Sequence, residues 1–205
     1  IGGKDSMSGT FNEIDVPPTL VSFAVDVAKS GDVITPELKK AGNKLVAFEI
    51  EKDDFDIPMY DAVMALYDKI HELIQEKVIV SAYALDAYGM AAAISKMAFG
   101  NKLGVAVESE ITTDELFGNG LGNILAEVSS EKLAELEKAG VDYTLVGTVT
   151  DDREFSFGEV KISLEEALKA WKGKLEKVFP TKAEKGKDAV ESGLFHADNI
   201  YVCKN

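Results

Sequence analysis

Cysteine and histidine are nearly absent from the sequence. The chain has one cysteine, Cys203, and two histidines, His71 and His196, among 205 residues. A single cysteine excludes an internal disulfide and a metal cluster built on several cysteines. Two histidines do not supply a Ser-His-Asp triad or a histidine-based metal site. We therefore expect neither a catalytic residue nor a metal ligand within this chain.

Basic residues and long apolar runs are also scarce. Acidic residues number 36 against 22 basic ones, and the formal net charge is −14. A surface of this charge repels nucleic acid phosphates and anionic membranes, so we expect neither as a partner. No apolar run reaches the roughly 20 residues of a membrane-spanning helix. The start of the chain does not have the pattern of a signal peptide, and we expect a cytoplasmic protein.

The sequence contains many apolar runs typical of strands and many apolar repeats typical of helices. Apolar and β-branched runs predict strands at 16–28, 45–51, 78–85, 103–109, 123–129, 143–150 and 155–163. Three- and four-residue spacing predicts helices at 58–77, 88–100, 130–139 and 163–178, and Thr112 with Glu115 predicts a capping box that opens a short helix. Strands that alternate with helices indicate one α/β layered domain, with a mixed sheet of about six strands and helices packed on it.

Four boundaries follow from local signals. Pro58 is predicted in the first turn of its helix, and Gly100 is predicted to stop the next helix. We expect a hairpin around residues 151–153, between the last two strands. After Pro180 the sequence becomes polar and aperiodic, which is typical of a tail or linker.

The most unusual stretch is GGKDSMSG at the start of the chain. Glycines let backbone N–H groups converge on an anion, lysine adds charge, and serines add hydroxyl donors. The G-x-x-x-x-G-K-[ST] spacing of a P-loop is absent. From the residues alone, both a flexible leader and an anion-binding loop remain open. The loop interpretation involves Gly2, Gly3, Lys4, Asp5, Ser6 and Ser8.

Other polar residues can be interpreted either as ordinary solvated side chains or as parts of a binding site. Asp53, Asp54 and Asp56 are typical of a solvated loop before a helix, with a magnesium site as the weaker alternative. Asp86 and its tyrosine neighbours follow a predicted strand, where α/β proteins often bind ligands. The helical His71 and the tail residue His196 are interpreted as solvated side chains.

Five phrases of the sequence stand out in their order and wording: GGKDSMSGTF, VPPTLVSFAV, VIVSAYALDAYGMAAAISKMAFGNKLG, LFGNGLGNILAEV and VGTVT. Together they resemble phosphoribosylformylglycinamidine synthase in its large form. The resemblance covers about residues 1–180. The GGKDSMS phrase is fairly specific to the large enzyme, whereas the rest matches the C-terminal lobe of the wider aminoimidazole ribonucleotide synthetase superfamily.

The resemblance implies a part of an ATP- and magnesium-dependent ligase of purine biosynthesis. Such enzymes convert formylglycinamide ribonucleotide to formylglycinamidine ribonucleotide with ammonia from a glutaminase domain. The chain would be the C-terminal lobe of the second of two synthetase halves, with a ligand loop and lead-in at 1–15, the lobe at 16–180 and a connector at 181–205. Its partners would be the other lobes and the glutaminase domain of the same polypeptide.

The same resemblance assigns site residues and also shows departures from the family pattern. The glycine-rich stretch, Gly2 to Ser6 with Ser8 as an extension, would face substrate or nucleotide phosphate. The family's H-D-x-S-x-G-G-L is replaced by YALDAYGM at 83–90, with Asp86 at the serine position as the expected contact on the nucleotide side. L-F-S-E-S-x-G-R is replaced by LFGNGLGN at 116–123. We therefore expect the isolated lobe to be inactive, to hold no nucleotide or metal firmly, and to self-associate through uncovered apolar surface.

Two other functions compete with this one. The first is a C-terminal lobe of another superfamily member, such as aminoimidazole ribonucleotide synthetase or a selenophosphate synthetase relative. The second is an acidic scaffold or binding module with no enzymatic role.

Overall fold

A computed structural model describes the backbone of residues 2–5 and residues 9–18 and 20–181. The chain divides into two compact units, Ile1–Leu164 and Glu165–Asn205. The main sheet and its helices belong to the first unit.

The described residues contain short strands at the start and a longer series after residue 43. In chain order they are β1 (Gly2–Asp5), β2 (Gly9–Phe11), β3 (Ile14–Val16), β4 (Leu20–Phe23), β5 (Lys44–Phe48), β6 (Ile79–Ala84), β7 (Gly104–Val107), β8 (Ile124–Val128), β9 (Thr144–Thr150), β10 (Glu154–Phe157) and β11 (Val160–Ser163).

Helices occupy the connections between these strands. They are α1 (Tyr60–Gln75), α2 (Gly89–Asn101), α3 (Thr113–Phe117), α4 (Leu133–Lys138) and α5 (Leu164–Gly173), with single 3₁₀ turns at Ser30–Asp32 and Ser130–Lys132. None of the helices in the described part of the chain is long and apolar enough to cross a membrane.

One mixed sheet of seven strands organises the first unit. Its order is β11-β10-β7-β9-β5-β8-β6, and β10 with β7 is its one parallel pair. β1 with β4 and β2 with β3 form separate two-stranded antiparallel sheets. The mixed sheet with packed helices confirms the predicted fold class.

Both faces of the central strands are buried, because successive side chains of a strand point to opposite faces. Leu45 and Ala47 of β5 belong to one apolar cluster, which includes Met97 of α2 and Leu116 of α3. Val46 and Phe48 belong to the other cluster, which includes Leu73 of α1 and Leu136 of α4. The helices therefore pack in two layers, α2 and α3 on one face and α1 and α4 on the other.

The helix predicted from Pro58 begins two residues later, at Tyr60. Pro58 pairs with Lys52 as an isolated bridge, and the N–H of Met59 donates to the carbonyl of Glu51 at 2.9 Å. The turn before the helix is thus closed as a small hairpin, and this contact holds Pro58 outside the helix.

Gly100 does not stop α2, which continues to Asn101 and ends at Lys102 in the left-handed conformation, with φ 58°. A Cβ on Gly100 would clash with the side chain of Glu37. Glycine is therefore needed there for the close approach of the segment that carries Leu38, whose N–H donates to the carbonyl of Met97 at 3.0 Å.

The hairpin expected at 151–153 is wrong. β9 and β10 are not neighbours, since β7 lies between them. The hairpin joins β10 to β11 instead, and its turn contains Gly158 at φ 56°. The helix predicted to run to residue 178 ends at Gly173.

Candidate functional site

Two loops that differ from the family pattern meet at one edge of the sheet. β5 and β6 are both antiparallel to β8, so their carboxyl ends lie where β8 begins. The N–H of Leu85 donates to the carbonyl of Asn123 at 2.8 Å, and the N–H of Gly120 donates to that of Asp86 at 3.3 Å. The structure therefore joins the stretches 83–90 and 116–123 into one surface.

A cavity of about 170 Å³ opens at this junction. We call it the glycine-loop cavity. It is lined by Ala47, Glu49, Leu85, Met90, Asp114, Glu115, Gly118, Asn119, Gly120 and Asn123. Apolar side chains, amides and carboxyl groups all contribute to this lining.

The charge of the glycine-loop cavity is negative. Its lining residues include three acids and no lysine, arginine or histidine. The Thr112 hydroxyl and backbone N–H donate to Glu115 at 2.6 and 2.7 Å and lower the pKa of its carboxyl group. Glu115 is therefore ionised at neutral pH, and the cavity repels phosphate rather than attracting it.

Asp86 organises the start of α2. One carboxylate oxygen accepts from the N–H of Tyr88 at 2.8 Å, and the other lies 3.2 Å from the Lys96 ammonium. The Tyr88 N–H first, and Lys96 second, lower the pKa of Asp86. Both oxygens thus have partners within the protein, and contact between Asp86 and a nucleotide stays a prediction.

Lys96 is held by aromatic as well as acidic groups. Its ammonium lies 3.0 Å from the Tyr83 hydroxyl and 5.3 Å from the centre of that ring. The hydrogen bond with Tyr83, followed by that with Asp86, raises the pKa of Lys96. The basic group beside the glycine-loop cavity is therefore already paired.

The glycines of this surface serve close packing. Gly89 has φ +68°, and a Cβ there would clash with the carbonyl oxygen of Gly118. Side chains on Gly120 and Gly122 would meet Leu85 and Ile50. These glycines therefore bring α2, α3 and β8 together, which differs from a loop that leaves its N–H groups open to an anion.

The described residues contain no group of three or more His, Cys, Asp or Glu side chains arranged to hold a metal ion. The three acids that line the glycine-loop cavity do not form such a group either. Magnesium, which prefers several oxygen ligands, finds no such set in the described part of the chain.

The glycine-rich stretch lies in a separate small sheet. Gly2, Gly3, Lys4 and Asp5 form β1, and Gly3 pairs with Ser22 and Lys4 with Val21 of β4. In an antiparallel pair only alternate N–H groups point toward the partner strand, so the others do not bond to β4. The predicted phosphate contacts Ser6 and Ser8 lie outside the described residues.

A buried polar cluster around a carboxylate of β8 is not predicted by the sequence analysis. Glu127 of β8 is fully buried and accepts from the N–H groups of Lys39 at 2.7 Å and Lys40 at 3.0 Å. The Asn43 amide donates to the same carboxylate at 2.7 Å. The signal in the sequence is an acid inside an otherwise apolar strand, ILAEV.

No family model matches the chain. Among curated proteins, it is 27% identical over 208 residues to the phosphoribosylformylglycinamidine synthase subunit PurL of Helicobacter hepaticus, which covers 87% of this chain and 27% of that protein. It is 27% identical over 171 residues to the protein of the same name from Wolinella succinogenes, which covers 73% of this chain and 23% of that protein. The chain thus spans about a quarter of the length of these relatives.

Solved structures share the fold. PurL of Thermotoga maritima complexed with FGAR superposes with a TM-score of 0.54 and 13% identity, over 67% of this chain and 30% of that chain. The same protein complexed with ATP superposes with a TM-score of 0.54 and 15% identity, over 68% of this chain and 28% of that chain. At these identities the likeness concerns the fold, and it agrees with the resemblance found in the sequence.

Proposed function

We propose that this chain is the C-terminal lobe of the second synthetase half of a phosphoribosylformylglycinamidine synthase. The observation that carries the proposal is a match over 87% of the chain to a relative of that name. The seven-stranded sheet, which matches the fold of Thermotoga maritima PurL, supports it. The layout that we propose is a ligand stretch at 1–15, the lobe at 16–180 and a connector at 181–205.

The proposed task of the lobe is to supply one wall of a composite site. The reaction converts the amide of formylglycinamide ribonucleotide to an amidine, with ATP and with ammonia released from glutamine. ATP and magnesium would supply the phosphoryl chemistry in the complete enzyme. The other lobes and the glutaminase domain are the proposed partners, and the compartment is the cytoplasm.

Within this chain, the glycine-rich stretch is the proposed ligand contact. Lys4 would place a positive charge against a phosphate group. Those N–H groups of Gly2, Gly3 and Asp5 that do not bond to β4, with the hydroxyls of Ser6 and Ser8, would add donors. The negative glycine-loop cavity is an unfavourable place for a phosphate. The proposal therefore puts the phosphate at β1 and assigns the glycine-loop cavity a structural role.

The test compares two lysine substitutions in the complete protein. Lys4→Ala should lower kcat/KM for FGAR-dependent ATP hydrolysis by roughly 10²-fold, as loss of one charge-stabilising donor does. Lys29→Ala removes an exposed lysine that lies outside the proposed site and should leave the rate unchanged. Equal rates for the Lys4→Ala variant and the unaltered protein would contradict the proposal.

A further inference from the structure

Several apolar side chains are exposed at the edge of the sheet that carries the glycine-loop cavity. Phe55 and Ile57, in the turn between β5 and α1, are 83% and 50% exposed. Met64, near the start of α1, is 60% exposed. Large apolar side chains at such exposure mark a surface that binds another molecule.

The loop before β8 lies beside α1. The Tyr67 hydroxyl donates to the carbonyl of Gly122 at 2.7 Å, and a Cβ on Gly122 would meet the side chain of Ile50. Leu121, which precedes Gly122, is also exposed. Because Met64 and Tyr67 are three residues apart on one helix face, this contact brings Leu121 close to the apolar residues of α1.

Two exposed aromatic rings extend the same edge. Tyr88 and Phe117 are 73% and 62% exposed, and each precedes a glycine of the contact between α2 and α3. One of these glycines, Gly118, lines the glycine-loop cavity. We call the exposed apolar side chains of this edge the Met64 surface, which consists of Phe55, Ile57, Met64, Tyr88, Phe117 and Leu121.

Acidic residues border the Met64 surface. Residues 49–61 contain six acids and one lysine. That lysine, Lys52, lies 3.4 Å from the carboxylate of Asp56, so its charge is already paired. Asp114 and Glu115 of the glycine-loop cavity add to the negative charge. An apolar surface with an acidic border is complementary to an apolar surface with a basic border.

The glycine-loop cavity offers a place for one cationic side chain. Its lining combines the apolar Leu85 and Met90 with the carboxyl groups of Glu49, Asp114 and Glu115. Lysine and arginine have an apolar stem and a cationic head, so both parts of such a side chain meet matching groups there. An arginine that fills a pocket among apolar contacts is a common anchor of protein interfaces.

We propose that the Met64 surface binds a basic amphipathic helix of another protein. The apolar face of that helix would cover the Met64 surface, and methionine adapts readily to such a partner. Lysine or arginine side chains beside the apolar face would meet the acids at 49–61, and one of them would enter the glycine-loop cavity. The surface is distinct from the glycine-rich stretch, and the proposal does not depend on the proposed enzymatic function.

Other occupants have the wrong charge for this surface. Nucleic acids and anionic membranes carry the same sign of charge as the acids at its border. A second copy of the chain has a formal net charge of −14, which opposes the approach of two copies.

A designed peptide tests the proposal with the full chain. The probe is a fluorescein-labelled peptide of leucine and lysine, about 15 residues long, with the leucines at helical spacing so that one face is apolar and the other basic. At about 0.15 M salt, where distant charges are screened, its fluorescence anisotropy should rise to saturation with one peptide per chain. A peptide with glutamate in place of lysine should not bind, and neither should one of the same composition whose leucines are dispersed around the helix.

A first pair of variants tests the apolar contact. Phe55→Ser with Met64→Ser should weaken binding of the leucine–lysine peptide by at least about tenfold, because each loses an apolar contact with the helix. Val27→Ser with Val33→Ser changes two exposed apolar residues that line a cavity with Ile74 and Gln75, at the other end of α1, and should leave the affinity unchanged. Far-UV circular dichroism verifies that each variant is folded.

A second pair tests the charges at a constant net charge. Glu51→Gln with Asp54→Asn should weaken binding several-fold, whereas Glu135→Gln with Glu137→Gln, on exposed positions of α4, should not. No binding of the leucine–lysine peptide, equal binding of the dispersed peptide, or equal affinities within either pair of variants would overturn the proposal. Sedimentation of the chain as a dimer that Phe55→Ser with Met64→Ser dissociates would also overturn it, because the occupant would then be a second copy.

Discussion

At the scale of single residues, Glu127 is a fully buried acid whose carboxyl group depends on hydrogen-bond donors from the protein. Burial raises the pKa of its carboxyl group, while the Asn43 amide and the N–H groups of Lys39 and Lys40 oppose the rise. Asn43 is itself buried, and its side-chain oxygen accepts from the N–H of Ser130 at 3.1 Å. These contacts tie the segment before β5 to the end of β8.

Replacing Glu127 with glutamine should destabilise the protein markedly. An amide has one acceptor oxygen, and its NH₂ group would face N–H donors, so the free energy of unfolding should fall by about 2–4 kcal/mol. Glu159→Gln, at the exposed turn between β10 and β11, should change it by less than about 0.5 kcal/mol. Urea unfolding of both variants at pH 7 measures the difference, and equal stabilities would contradict the account.

The pH dependence of that difference has a definite sign. Because burial raises the folded pKa of Glu127 above its ordinary value of 4.5, the native state keeps this proton up to a higher pH than the unfolded state does. The stability contributed by this group therefore increases as the pH falls from 7 toward 4.5, and the gap between the unaltered protein and Glu127→Gln should widen. A gap that narrows over this range would show that the N–H donors outweigh burial.

At the scale of elements, the apolar pattern of the sequence predicts the strands that lie in an apolar environment along most of their length. β5 and β8 are short apolar runs with both faces buried, and β6 is an apolar run at the sheet edge with Ile79 and Ser81 buried; each lies where the sequence predicts it. The capping box of Thr112 and Glu115 is also confirmed, since it depends only on residues within one turn.

Elements whose position depends on a distant partner could not be placed from local patterns. β10 pairs with β7, about fifty residues earlier, rather than with β9, which directly precedes it. The polar residues 151–153 lie between two apolar runs, which is the sequence pattern of a hairpin turn. The structure does turn there, with Arg153 at φ 57°, but the chain crosses β7 before it forms β10. The actual turn was within a run interpreted as one strand, although it contains Gly158.

The junction of α2 and α3 depends on Gly89. Gly89→Ala would require a left-handed conformation and would press a Cβ against the carbonyl oxygen of Gly118, so we expect a loss of about 2 kcal/mol or more in the free energy of unfolding. Gly31→Ala meets no atom within 4 Å and should cost less than about 1 kcal/mol. Thermal unfolding of the two variants compares them directly, and equal losses would contradict the packing role of Gly89.

At the scale of the whole molecule, the candidate site could be predicted only in part. The GGKDSMS phrase was found by its wording, and its ligand role stays a prediction. The glycine-loop cavity could not be foreseen, because Glu49 and Asp114, both of which line it, are 65 positions apart in the sequence and meet only through the sheet order. Its negative charge then argues against the phosphate that a glycine-rich loop suggests.

Our central proposal is that this chain is a lobe which would contribute to an amidine-forming site without completing it. The most direct measurement is the conversion of formylglycinamide ribonucleotide to the amidine with ATP, magnesium and glutamine, by the complete protein and by this chain alone. The account predicts product from the complete protein and none from the isolated chain. Absence of product from the complete protein, or turnover by the isolated chain, would contradict it.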